Sequence, residues 1–238
     1  MLYKIVIYLG LVDLALCFFH GEKIPIENEP PKVVVTKPSE KTKLPRNSII
    51  PYSIHVNDPE DGNSDYDEIA IREVLLMVRY LPNSTDLESF LKKGKDMVPE
   101  PLLMMSKSTC LNCHASKSKL IGPSFELIAQ RYSEEPKAKE VLIQKIISGA
   151  TGTWGDLKMP PHPDMEVEEV SKIVDWILNN GAIQNQTFYV GTEGAFRTNG
   201  QVNQGAVYAL TASYMDHGIN DMVKSNKLGW NSIILNCE

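Results

Sequence analysis

Apolar residues recur with two different periods along this chain. Near the start they come in short β-branched runs: Lys32–Thr36 (K-V-V-V-T), Ser48–Val56 (S-I-I-P-Y-S-I-H-V) and Ile69–Leu81. Such runs between polar clusters predict strands, and D-P-E-D-G-N-S-D between the second and third is turn-forming. From about residue 100 the spacing turns helical. Leu102–Lys107 predicts a short helix, and Ser124–Tyr132 a second, with Phe125, Leu127, Ile128 and Tyr132 apolar. Ala138–Ser148 carries Val141, Leu142, Ile146 and Ile147. In the last helix Val167, Val170, Val174, Ile177 and Leu178 form one face, and Asp164 is the expected cap. After Gln186 the short period returns. Val207, Ala209, Thr211 and Ser213 alternate with Tyr208, Leu210, Ala212 and Tyr214, which reads as one half-buried strand, and Ser232–Leu235 is a closing strand. A tail of this size is marginal alone, so it is expected to pack on the N-terminal strands or on the helical centre.

The resulting organisation is mixed and multidomain: an all-α domain with flanking β-sandwich-like segments. Residues 1–21 form a signal segment, since Lys4 precedes an apolar stretch from Ile5 to Phe19 that is short for a membrane span. Export to the periplasm or cell surface is the expectation, with lipid attachment at Cys17 as an alternative to simple cleavage. Residues 22–84 are β-rich, 85–99 a linker, 100–182 the helical domain and 183–238 a β-rich tail.

Composition narrows the function. Hydrophobic residues make up 42% and charged residues 23% of the 238 positions, as in an ordinary globular chain. The formal charge of -6 gives no basic excess to bind a phosphate backbone, so nucleic acid is not an expected partner. Four cysteines are too few for a disulfide scaffold. The acidic turn with Asp58, Glu60, Asp61 and Asp65 has oxygen ligands of the type calcium takes, but a solvated turn is the simpler reading.

Two of the cysteines carry the chemistry. Cys110-Leu111-Asn112-Cys113-His114 is C-x-x-C-H, the spacing at which two thiols reach one edge of a haem and the adjacent imidazole comes beneath the iron. A zinc site would need two more soft ligands, and only the isolated Cys17 and Cys237 remain. A thioredoxin-like dithiol would follow a strand, and the flanks here are helical. A second axial ligand is expected in an electron carrier, and a thioether raises its potential. Met159 lies in T-W-G-D-L-K-M-P-P, framed by Pro160 and Pro161 and by glycines at 149, 152 and 155. His162 beside it reads as a loop residue, and Cys237 has no assigned role.

Residues 100–180 resemble a short bacterial monohaem class I cytochrome c. The resemblance rests on C-x-x-C-H, Gly122-Pro123, Lys145-Ile146, Thr153-Trp154-Gly155, Met159-Pro160-Pro161 and Trp176-Ile177-Leu178. It implies one covalent haem c, held by Cys110 and Cys113, with His114 and Met159 as axial ligands. It further implies that the Pro123 carbonyl supports the imidazole, and that Trp154 and Lys145 meet the haem propionates. The family more often has Arg at the latter position. V-x-D-P-E-D-G and the strands around it resemble PKD-type repeats of secreted proteins, and the tail resembles that of Bacteroidetes-type secreted cytochromes and sugar dehydrogenases. The implied function is one-electron transfer rather than enzymatic catalysis, with a quinoprotein dehydrogenase or a terminal oxidase as redox partner. A haem enzyme or gas sensor with a displaceable Met159, and a glycan-binding β-module carrying a haem domain, are the alternatives. Residues 105–180 hold nine Lys/Arg and ten Asp/Glu, so docking is expected to rely on apolar contact more than on steering.

Overall fold

The computed structural model describes residues 27–219 and 225–238; the signal segment and Cys17 lie outside the described residues. Two sheets and a helical layer are stacked. The first sheet holds β1 (Lys32–Lys37), β3 (Ile49–Asp58), β4 (Gly62–Asn63) and β7 (Glu193–Arg197), with β3 bonded to all three others. The second runs in the order β2 (Lys43–Leu44), β9 (Leu228–Cys237), β8 (Val207–Met215), β5 (Leu75–Leu81) and β6 (Gln186–Val190). Only the β2–β9 pair is parallel. The helices are α1 (Ser84–Leu91), α2 (Glu100–Lys107), α3 (Cys110–Cys113), α4 (Phe125–Tyr132), α5 (Ala138–Ser148) and α6 (Val167–Asn180).

The segments before and after the helices do not form separate units. Strands from both share each sheet, and the helical part is an insertion between the neighbouring strands β5 and β6. The sequence L-L-M-V-R-Y-L explains the position of β5. It is apolar on both faces, so it must be covered twice. Leu76, Val78 and Tyr80 enter the core between the sheets with Val56, Leu210 and Tyr214. Leu75 and Met77 point the other way, into the helical core with Leu102, Phe125 and Val174.

Four expectations about secondary structure are corrected. β8 is buried on both faces, not half-buried, because its outer row of small residues lies under helices; Ala209 packs with Phe90 and Met97. The stretch 85–99 is no linker. It holds most of α1, started by Asn83 accepting from the Asp86 N–H at 2.9 Å, and a tight turn at Gly94–Met97. The third strand begins at Leu75, since a single helical turn occupies Ile71–Glu73. Asp164 does not cap α6; the cap position is Glu166, whose side chain makes no capping bond. By contrast, Ser124 caps α4 through the Leu127 N–H at 3.2 Å.

The acidic turn is solvated only in part: Glu60 and Asp65 are exposed, whereas Asp58 is buried and Asp61 half-buried. Asp61 Oδ2 accepts from the Tyr214 hydroxyl at 2.7 Å and from the His217 N–H at 2.9 Å, and His217 Nδ1 lies 3.0 Å away. His217 Nε2 is 3.2 Å from Glu73, which also pairs with Lys107 at the end of α2. This network joins the sandwich to the helix that leads into Cys110. Burial raises the Asp61 pKa, but the Tyr214 and His217 bonds outweigh it and hold the carboxyl below its ordinary value. A depressed carboxylate contributes stability above its unfolded pKa of about 4 and loses it as pH falls through the folded pKa. Tyr214→Phe should cost about 1 kcal/mol at neutral pH and flatten the acid-side loss. Thermal unfolding from pH 7 down to 2 checks both.

Candidate functional site

Cys110, Cys113, His114 and Met159 line one cavity of about 310 Å³ in the helical layer. Each is placed by a local device. α3 is a single turn, and the His114 N–H donates to the Cys110 carbonyl at 3.0 Å as the chain turns out of it. The two thiols are thereby set on one turn, both free and both half-buried. Ser108 donates to Cys110 Sγ at 3.0 Å. Burial pushes the Cys110 thiol pKa up, and the Ser108 bond opposes this. Arg72 reaches from the sandwich to Asn112 Oδ1 at 2.9 Å and fastens the attachment turn from outside.

The imidazole is fixed in one tautomer. His114 Nδ1 lies 2.7 Å from the Pro123 carbonyl oxygen, which can only accept. The proton is therefore on Nδ1, and Nε2 keeps a free lone pair suited to a metal. Burial lowers the pKa of this ring, the Pro123 bond pulls the other way, and the nearby His162 adds to the lowering. A neutral imidazole is what ligation requires. Phe125 packs on the ring at 5.5 Å between centroids. Gly122 lies so close that a Cβ there would come 2.5 Å from His114 Cε1. Gly122→Ala should displace the ring and cost about 1–3 kcal/mol, read as a lower Tm and a reduced yield of haem-loaded protein.

Met159 comes from the other side, on a loop hung from the end of α5. Its N–H donates to the Ala150 carbonyl at 2.8 Å and its carbonyl accepts from the Ala150 N–H at 3.2 Å. The His162 N–H caps the Ile146 carbonyl at 3.0 Å. Gly149, at φ 78°, lets the loop turn back so tightly that a Cβ would meet the Met159 carbonyl at 2.8 Å. Met165 instead packs at the edge of the helical core and does not line the cavity.

Lys145 and Trp154 stand at the cavity wall. Lys145 Nζ donates to Thr153 Oγ1 at 2.9 Å, so it is neither free nor fully solvated. Trp154 is 41% exposed, with the Arg131 guanidinium 5.1 Å from its ring centroid. Sequence reasoning missed Arg131 and the bond from Lys145 to Thr153, since partners at this surface leave no periodic signal. Leu127, one of the apolar positions of α4, is exposed and borders the cavity with Ile121 and Leu157. A larger, more polar cleft of about 510 Å³ touches the outer side of His114 but includes neither cysteine nor Met159. The smaller cavity is therefore the one with the chemistry.

The donor set fits a covalently bound haem. Two free thiols on one turn, an imidazole with an available Nε2 and a thioether on the facing loop surround a mostly apolar space. Comparison with known proteins points the same way. Residues 103–181 match the family described as Cytochrome c. Cytochrome c-551 of Allochromatium vinosum is 31% identical over 77 residues, covering 32% of this chain and 82% of that protein. Cytochrome c-551 of Azotobacter vinelandii is 38% identical over 71 residues, covering 30% and 85%. Among solved structures, the crystal structure of Nitrosomonas europaea cytochrome c552 is 33% identical and covers 32% of this chain and 94% of that one, with a TM-score of 0.31.

Proposed function

Because this chain belongs to the cytochrome c family through residues 103–181, we propose that it is a monohaem electron carrier of the cell envelope. Members of the family bind one haem c covalently and act as electron carriers, not enzymes. When bound, the haem iron supplies a reversible one-electron couple. In our reading Cys110 and Cys113 would hold the haem through two thioether sulfurs, and His114 and Met159 would ligate its iron. Pro123 keeps the imidazole aimed and basic. Trp154 and Lys145 would serve the haem propionates, with Thr153 holding the lysine in place. The apolar rim at Ile121, Leu127 and Leu157 is the docking face for a redox partner, either a dehydrogenase that donates or an oxidase that accepts. The strands around the helices serve as a PKD-like scaffold. Export is supported by the apolar stretch after Lys4, with a lipid on Cys17 as the alternative to simple cleavage.

The observation that carries this reading is the pairing of His114, locked with Nε2 free, with Met159 on the loop that faces the same cavity. With His114 and Met159 both engaged by the haem, the chemistry it would supply here is electron transfer rather than oxygen or substrate binding. The test is a redox titration of the exported protein, with carbon monoxide added to the reduced form. A single one-electron wave and no carbon monoxide complex are expected. Rapid, stoichiometric carbon monoxide binding would overturn the proposal in favour of a sensor or enzyme.

A further inference from the structure

Far from the haem cavity, three segments distant in sequence converge at one end of the sandwich. Asn28 precedes β1, Asp58 ends β3, and Asp216 and Asn226 belong to the β8–β9 connection. Asn28 Nδ2 donates to Asp216 Oδ2 at 2.9 Å and to the Ser225 carbonyl at 2.7 Å. Asp58 Oδ1 accepts from the Asp61 N–H at 2.7 Å, and Asp61 is bonded in turn to His217, next to Asp216. Asp58 is 2% exposed, Asn28 4% and Asp216 0%.

Asp216 is anchored by its neighbours: its Oδ1 accepts from the Gly218 N–H at 3.0 Å and the Lys227 N–H at 2.8 Å. The groups around it are buried but not satisfied. Asp58 Oδ2, Asn28 Oδ1 and Asn226 Oδ1 are each shielded from solvent and have no hydrogen-bond partner among the described residues. Buried acceptors left in this state are costly, a carboxylate oxygen most of all. Lys227, which follows Asn226, sends its ammonium to Glu27 at 3.7 Å. His217 serves Asp61 and Glu73. Burial raises the Asp58 pKa; the Asp61 and Glu60 N–H bonds oppose this, and the nearby charges of Asp61 and Asp216 add to the rise.

We infer that Asp58, Asp216, Asn28 and Asn226 form a binding site for a hard divalent cation of the calcium class. The donors are carboxylate and amide oxygens, which calcium takes in sets of six to eight together with carbonyls and water. Zinc is the wrong ion: among the described residues no three His, Cys, Asp or Glu side chains converge as ligands. The acidic residues nearest in sequence are not the ones that serve. Asp61 is engaged by Tyr214 and His217, and Asp65 by His55 at 3.0 Å. The bound ion ties the chain before β1 to the acidic turn, and through Asp61, His217, Glu73 and Lys107 it supports the helix leading to Cys110.

The experiment titrates calcium chloride alone into the chelator-treated, haem-loaded full chain, by calorimetry and by thermal unfolding. One ion should bind, and Tm should rise by roughly 5–10 °C at a free calcium about a hundredfold above Kd. Asp58→Asn should weaken binding at least tenfold, whereas Asp65→Asn should leave it unchanged. Absence of both heat and Tm shift in the unmutated protein would overturn the inference, whatever the variants do. Unaltered calcium affinity in Asp58→Asn would overturn this ligand assignment equally.

Discussion

Replacing Cys110 and Cys113 together by alanine is expected to give a colourless protein whose helical layer no longer folds cooperatively while its sandwich does. The expectation follows from the separation of the two cores. The core between the sheets is built from residues such as Val56, Leu76, Tyr208, Leu210 and Tyr214, none of which borders the haem cavity. The helical core is different. Phe125, Ile128, Leu142, Ile173, Val174 and Ile177 belong to it and also line the cavity. Left unfilled and dry, about 310 Å³ at roughly 24 cal/mol per Å³ would cost at most about 7 kcal/mol. That is comparable with the whole stability of a small domain. The outer face of the second sheet contributes Leu75, Met77 and Phe188 to the helical core, which is too little to hold it in place alone. Amide exchange should therefore lose protection at Leu142, Val170 and Val174 and keep it at Leu76 and Leu210. A single cooperative transition unchanged from the unmutated protein would show that the helices need no haem.

The second large effect is expected at Met159. Met159→Ala removes the thioether without disturbing the backbone bonds to Ala150 that hold the loop, since both are main-chain bonds. A sulfur axial ligand raises the potential, and axial ligation spans about 0.8 V across haem proteins. The midpoint should therefore fall by a few tenths of a volt, and added imidazole should bind tightly. Met165→Ala is the matched control, because Met165 packs at the core edge and does not line the cavity. Spectroelectrochemistry of the two variants separates the readings. A fall in Met165→Ala with none in Met159→Ala would refute the ligand assignment.

These two experiments probe parts of the molecule that differ in how readily the sequence discloses them. The C-x-x-C-H turn, the proline-framed Met159 and the helices α4 and α5 depend on neighbours within a few residues of one another. Short spacing and a single period specify them, so the chain shows them directly. α1 went unseen because its capping signal is one asparagine and its apolar positions are few. The β8 strand was recognised by its alternation, but alternation alone does not say that small residues on the outer row lie under helices.

The sequence by itself determined the haem-attachment chemistry, the candidate axial pair and the division into helical and β-rich stretches. Only the tertiary structure decided that β5 is a central strand between β6 and β8, and that the helical domain is an insertion into one sandwich. It alone brought Asn28 to Asp216 across 188 positions and Tyr214 to Asp61 across 153. Strand neighbours and buried polar partners are chosen by which faces can be covered at once. That is a property of the packed chain and has no local period to reveal it.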